Sequence, residues 1–172
     1  MIHFQIEDIR FHERSVNLRL PFRFGVATLT ACPQVHVLVR VKFPNGQTVE
    51  ACSAEMMVPK WFDKNMVLSN EDNFDQLRFA LKATRSAYTQ DKKNQTAWQY
   101  FIRHYDDIVS VCAAQGINSL AASYGPALID RALIDAVCHF LGLNFYDGMK
   151  KNAAGIDLHQ HPKLQDLSAF NL

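Results

Sequence analysis

The sequence predicts an α+β fold, in which a three-stranded antiparallel β-meander precedes a bundle of three to four helices. Apolar and polar residues alternate through roughly the first 60 residues, as they do in strands that bury one face. From Ser69 onward the apolar residues recur at helical spacing. A sheet with one apolar face needs a covering layer, which the helices supply. The 172 residues, 48% of them hydrophobic, suffice for one globular domain.

The predicted second strand carries the clearest period of two. Its apolar residues are Val35, Val37, Val39, Val41 and Phe43. Pro44-Asn45-Gly46 follows, and Asn-Gly favours a tight hairpin. The return strand is predicted over 47–54 and the first strand over 4–20. The apolar phase of the first strand changes around residues 12–15, which predicts a bulge or a kink there.

Helix boundaries follow from capping residues. Ser69 and Asp72 form a capping-box pattern ahead of an apolar stripe that ends at Tyr88. A second helix is predicted from Thr96 to a stop at Gly116. The third begins near Pro126 and ends at Gly142, and its wide apolar stripe predicts a central position. A short fourth helix is predicted from Asn144, with Asp147 at its third position.

Composition excludes several classes of function. A net charge of +1 argues against nucleic-acid binding. The sequence has no apolar run long enough to span a membrane. Its N-terminus carries acidic residues early, unlike a signal peptide, so a cytoplasmic location is expected. The four cysteines have no CxxC spacing and are expected to be reduced, and the common phosphate-binding, hydrolase and zinc motifs are missing.

Several segments resemble one enzyme family. LPFRFG at 20–25, TLT at 28–30 and the valine strand resemble the start of the mandelate racemase/muconate-lactonizing branch of the enolase superfamily. YGPA at 124–127 and RALID at 131–135 resemble a family helix, and LGLNFYD at 141–147 resembles the turn after it. Asn144 stands where that turn commonly has proline. The similarity covers roughly residues 2 to 155.

The resemblance implies a domain arrangement and a reaction. It makes residues 1–155 the N-terminal capping domain and leaves 156–172 as a tail where a TIM barrel would begin. Complete relatives are Mg²⁺-dependent lyases, racemases or cycloisomerases that abstract a proton α to a carboxylate. Their base and metal ligands belong to the barrel. The chain alone is therefore expected to be non-catalytic and to hold no cofactor or metal of its own.

The same resemblance selects two loops as substrate-facing candidates. The first spans 22–33 and includes Arg23, Phe24 and Thr28; the second spans 54–65 and includes Lys60 and Trp61. A lid combines apolar side chains that exclude water with a few polar ones that orient substrate. Two alternatives stay open. Trp61 and its neighbour Phe62 could pack on the domain's own helices, and Arg23 and Lys60 could simply be solvated.

Other titratable residues are expected to be structural. His159-x-His161 resembles a metal-hydrolase pair, but no further ligands follow it, so a solvated tail is predicted. Asp130 and Asp135 lie five residues apart on the third helix, about 140° around its axis. They are predicted to form ion pairs rather than a catalytic pair.

Two alternatives to a catalytic lid stay open for the function. One is a non-catalytic binding or assembly module that pairs through the surface normally facing the barrel, as a homo-oligomer or with a barrel-bearing partner. The other is a truncated gene product or a fragment with no independent function.

Overall fold

A computed structural model describes residues 1–25 and 27–160. One antiparallel sheet of order β1-β2-β3 is followed, within that part of the chain, by five α-helices and a 3₁₀ turn. The strands are β1 (Gln5–Phe24), β2 (Ala27–Lys42) and β3 (Thr48–Met56). The helices are α1 (Asn70–Gln90), α2 (Ala97–Ala113), α3 (Ser119–Ala122), α4 (Tyr124–Leu141) and α5 (Phe145–Lys150), and the turn is Leu158–Gln160. The predicted meander and trailing helices are confirmed.

The valine strand lies at the centre of the sheet. Its alternating residues from Val35 to Phe43 are all buried, because strand side chains at every second position share a face. The predicted hairpin is also present. The Phe43 amide donates to the Gln47 carbonyl at 2.9 Å, and Gly46 adopts φ 88°, a conformation that glycine tolerates without strain.

The predicted bulge at residues 12–15 is wrong. His12 to Ser15 pair without interruption with His36 to Pro33. The register shifts instead between Ile6 and Asp8 and between Asn17 and Phe22. The first shift lets Ile6 and Ile9 both face the core. Beyond Pro33 the β1–β2 hairpin extends past β3, and Leu20, in this part of β1, is 68% exposed.

Helix α4 is central, as its wide apolar stripe predicts. It packs on β2 and β3 on one side and on α1 on the other, and ten of its residues are buried. The Ser53 hydroxyl of β3 donates to the Leu128 carbonyl of α4 at 2.6 Å. Gly142 ends the helix in the left-handed conformation, which is common for a C-terminal glycine.

The predicted helix starts at Ser69, Thr96 and Asn144 are confirmed. Each side chain accepts a hydrogen bond from the backbone amide three residues later, which satisfies a donor that the helix itself leaves free. The four-residue helix α3 was not predicted, because it is too short to show a period. No helix in the described part of the chain combines the length and apolarity needed to cross a bilayer.

Candidate functional site

The two predicted loops meet at one end of the sheet. Between them lies a cavity of about 430 Å³. The rings of Phe24 and Trp61 meet edge to face, with centroids 5.2 Å apart. The seven residues that line the cavity are Phe24, Gly25, Ala27, Lys60, Trp61, Lys64 and Met66. Its size falls in the range of small-molecule sites, and its walls are mostly apolar, as such sites require.

The first loop is shorter than predicted. Strand β1 continues to Phe24 and β2 begins at Ala27, so most of the segment 22–33 is paired strand rather than loop. Phe22, Arg23 and Phe24 pair with Leu29, Thr28 and Ala27. The prediction of a loop over 22–33 is wrong because strand pairing resumes there after the irregularity at 18–21. What faces the cavity is the end of a hairpin.

Lys60 organises the second loop. It has a positive φ of 61°, which costs energy for a residue with a side chain. Its Nζ donates to the carbonyl oxygens of Asn65 at 3.0 Å and Leu68 at 2.5 Å. Its backbone amide donates to Asn73 Oδ1 at 3.1 Å. The ammonium group therefore closes the loop on itself, and the backbone amide holds the loop against α1.

The charges around the cavity favour an anion. Its lining includes two lysines, Lys60 and Lys64, and no acidic residue. Asp63 lies in the same loop, and its pKa is lowered by hydrogen bonds from the Asn65 amide and the Gln76 side chain, with Lys60 contributing less. The Lys60 ammonium is already bonded to carbonyl oxygens. Lys64 is therefore the cavity's better candidate for contacting a carboxylate.

The candidate residues occupy three kinds of position. Phe24, Lys60 and Trp61 line the main cavity. Thr28 lines a smaller adjoining cavity of about 150 Å³, which Phe24 and Lys60 also border. Arg23 is exposed on the hairpin and lines neither cavity. Sequence reasoning did not single out Lys64 or Met66. Met66 could have been found from the start of α1. Because Ser69 caps that helix, the loop before it must continue beyond residue 65 and include Met66.

Phe62 lies on the other side of the second loop. Its ring meets that of Tyr124 edge to face, with centroids 5.2 Å apart. Both line another cavity, of about 500 Å³, together with Glu55 and Arg131, which form an ion pair at 3.1 Å. Of the two neighbouring aromatics, Phe62 thus packs on the helices, whereas Trp61 is 53% exposed. The alternative that these side chains pack on the domain's own helices therefore applies to Phe62 and not to Trp61.

A magnesium ion, as the enolase resemblance implies for complete relatives, does not fit the residues that the structure describes. No three His, Cys, Asp or Glu side chains come together as a possible metal site within 1–25 and 27–160. His159 lies in the 3₁₀ turn Leu158–Gln160, and His161, the other histidine of the predicted solvated tail, lies outside the described residues.

Comparisons with known proteins show the fold. No protein-family model and no curated protein matches the sequence. Among solved structures, an enolase from the alphaproteobacterium bal199, with bound magnesium, aligns with a TM-score of 0.51 at 12% identity, over 80% of this chain and 32% of its own. A mandelate racemase/muconate lactonizing protein from Herpetosiphon aurantiacus aligns with a TM-score of 0.41 at 14% identity, over 80% and 32%.

The chain thus spans about a third of the length of the structures it matches. It has the fold of the corresponding part of an enolase, and the resemblance stated from the sequence is confirmed at the level of the fold.

Proposed function

We propose that this chain is the capping domain of an enolase-superfamily enzyme, formed by residues 1–155, with 156–172 at the position where a barrel begins. The observation that carries the proposal is the match of a meander-then-helices fold to about one third of an enolase. The proposed role is that of a lid. The complete enzyme would abstract a proton α to a carboxylate, using a base and magnesium ligands from outside the described residues.

The cavity between the loops supports this role. The Phe24 and Trp61 rings form an apolar wall that would exclude water from a reaction below them. Lys64 and Lys60 make the same wall positive, which would favour a carboxylate substrate. The cap would contribute enclosure and orientation, and the chain by itself would not catalyse the reaction.

Domain replacement tests the proposal. Residues 1–155 are fused to the remaining two thirds of the bal199 enolase, whose own aligned part is removed. The fusion is expected to recover Mg²⁺-dependent turnover that the uncapped remainder lacks. Trp61→Ala should lower this turnover, whereas Leu120→Ala, a matched loss of an exposed apolar side chain, should not. A fusion as inactive as the uncapped remainder would contradict the proposal. So would α-proton exchange catalysed by the chain alone.

A second candidate function is assembly through an exposed apolar surface. The end of α4 and helix α5 present Leu141, Phe145, Tyr146 and Met149, of which Phe145 and Tyr146 are 63% and 66% exposed. Phe145 and Tyr146 are adjacent in sequence, and an exposed apolar patch commonly marks an interface. The partner would be a second copy of the chain or a barrel-bearing protein. Sedimentation velocity tests self-association, and the double variant Phe145→Ser/Tyr146→Ser should weaken it. A strictly monomeric chain would exclude the homodimer.

A reducing compartment fits the thiols. Cys32, Cys52, Cys112 and Cys138 are all free, and only Cys52 is exposed. We propose a cytoplasmic location on this ground, and the near-neutral net charge of +1 favours protein or small-molecule partners over nucleic acid.

A further inference from the structure

Two histidines face each other on the side of the sheet that the helices do not cover. His12 of β1 is paired directly with His36 of β2 in the antiparallel register. Directly opposed side chains share a face, with their Cβ atoms about 4.5–5.5 Å apart. The neighbours Val35 and Val37 are buried in the core, so both imidazoles lie on the opposite, solvent-facing side. His12 is exposed, and His36, on the central strand, is half-buried.

Neither imidazole is engaged by another described residue. The hydrogen bonds and ion pairs within 1–25 and 27–160 involve neither ring. His104 is different, because its Nε2 lies 3.0 Å from Asp91 Oδ2. A neutral imidazole has one nitrogen with a free lone pair, which is the ligand atom in metal sites. The facing pair therefore presents two nitrogen ligands that are close enough to share one ion.

The titratable residues of α4 are, by contrast, already engaged. The predicted ion pair of Asp130 is wrong. Its Oδ1 accepts a hydrogen bond from the Tyr88 hydroxyl at 3.0 Å, and no cationic side chain within 1–25 and 27–160 forms a salt bridge with it. Adjacent helix positions face different directions, and its neighbour Arg131 pairs with a glutamate of β3 instead. Asp135 lies 3.6 Å from His139.

The sheet leaves room beside the two rings. The residue directly opposite His36 on its other side, in β3, is Ala54, whose methyl group covers little of the face. Two protein ligands are fewer than the three that a catalytic zinc site has. The remaining coordination positions of an ion bound here would therefore be filled by water.

The charges around the pair select the kind of ion. Arg10 and Arg14 lie two residues on either side of the first histidine, on the same face. Arg10 is ion-paired with Asp8 and Glu50 at 3.2 and 3.0 Å. Arg14 donates to Gln34 at 2.8 Å and forms no ion pair within the described ranges. A cation attracted by charge alone, such as Mg²⁺, would gain little here, whereas Zn²⁺ bonds to imidazole nitrogen.

We propose that His12 and His36 together bind one divalent transition-metal ion that prefers nitrogen ligands, so that the ion joins β1 to β2. The inference goes beyond the proposed lid function and does not depend on it, because neither histidine lines the cavities at the two loops.

Zn²⁺ is the probe, and Mg²⁺ is the control ion. The exposed thiol of Cys52 could bind zinc by itself, so titrations use the full chain with Cys52→Ser. A pH of 8 favours the neutral form of imidazole, which is the form that binds a metal. Histidine-ring NMR spectra follow each imidazole separately. Zn²⁺ is expected to shift the signals of His12 and His36 along one common saturation curve, and Mg²⁺ to shift neither.

Substitutions test whether the two rings act together. His12→Asn should weaken zinc binding at His36 by about tenfold or more, and His36→Asn should do the same at His12, because each removes half of a chelate. His139→Asn, the loss of an exposed histidine that faces no second one, should leave the curve unchanged. Circular dichroism checks folding, and either of the two pair variants suffices if the other does not fold. Unchanged affinity of the remaining histidine, or no saturable shift with Zn²⁺, would overturn the proposal.

Discussion

Gly125 in α4 lies directly against the carbonyl group of Ala80 in α1. A Cβ atom built on Gly125 would be 2.7 Å from the Ala80 carbonyl carbon and in still closer contact with its oxygen and with Thr84 Oγ1. Real Cβ atoms do not approach backbone this closely. The absence of a side chain at residue 125 therefore sets how near the central helix comes to α1.

Gly125→Ala is expected to destabilise the domain by about 1–3 kcal/mol, because the added methyl group must push two packed helices apart. Gly148→Ala in α5 is the matched control. Its new Cβ would be too close only to the Cys138 sulfur, at 2.5 Å, with Ala153 Cβ in ordinary contact at 3.6 Å, and a side chain can move more easily than backbone. Urea unfolding measures both. If Gly125→Ala unfolded at the same urea concentration as the wild type, the close contact would not limit the packing.

Local chemistry predicted much of the fold. Valine alternation predicts β2, and the Asn-Gly pair predicts its hairpin. The capping residues Ser69, Thr96 and Asn144 predict helix starts. All of these signals act within a few residues of the chain. In the sequence, Gly125 is only one residue of the segment 124–127 that resembles a family helix. Its contact with Ala80 joins positions 45 apart in the chain, and nothing local to either residue indicates it.

Acidity should affect stability through Asp130. In the unfolded chain an aspartate titrates near pH 4, whereas burial raises the pKa of folded Asp130 to about 8. Between these values the native state holds a proton that the unfolded state has lost. The stability conferred by this group is thus full below about pH 4, falls as pH rises toward 8 and levels off above it.

Asp130→Asn should flatten this dependence, since it cannot ionise and its amide oxygen can still accept the Tyr88 hydroxyl. The substitution should reduce the slope of the free energy of unfolding against pH by at most about 1.4 kcal/mol per pH unit. Urea unfolding at a series of pH values measures the slope. Asp63 should show the opposite pH dependence. Because its pKa is lowered, the stability that it contributes is lost when the pH falls. A variant with an unchanged slope would show that Asp130 is not the responsible group.

The Tyr124 hydroxyl offers a route to a more stable domain. It is buried, and its oxygen has no hydrogen-bond partner among the residues that the structure describes. Leaving such a group unsatisfied costs about 1–3 kcal/mol. Tyr124→Phe should therefore be neutral or stabilising by about 1 kcal/mol, because the ring contact with Phe62 is retained.

Tyr105→Phe is the counterpart of this substitution. The Tyr105 hydroxyl is 2.8 Å from Ser123 Oγ, so its removal should cost about 0.5–1.5 kcal/mol. Thermal unfolding compares the two variants. Equal losses would mean that the Tyr124 hydroxyl has a partner after all.

The candidate site could be predicted only in outline. Aromatic and charged residues in the two segments singled out Phe24, Lys60 and Trp61, which the structure brings to one cavity, although the first segment is the end of a hairpin rather than a loop. The role of the Lys60 ammonium was not predictable. Its carbonyl partners belong to Asn65 and Leu68, and this bonding depends on a left-handed backbone at a residue other than glycine, for which the sequence gives no signal.

Lys60→Met should loosen the second loop. The variant keeps an apolar side chain of similar length but loses both hydrogen bonds from Nζ, so backbone amides in 60–68 should exchange hydrogen faster. Lys64→Met removes the same charge from the same cavity, and the structure describes no hydrogen bond from that ammonium group. Hydrogen exchange in the loop should therefore be near wild type in Lys64→Met. Equal acceleration in the two variants would show that cavity charge, rather than the Lys60 bonds, holds the loop. If only Lys60→Met accelerates exchange, Lys60 keeps the second loop in shape, and Lys64 is the lysine that the proposed function leaves to contact a carboxylate.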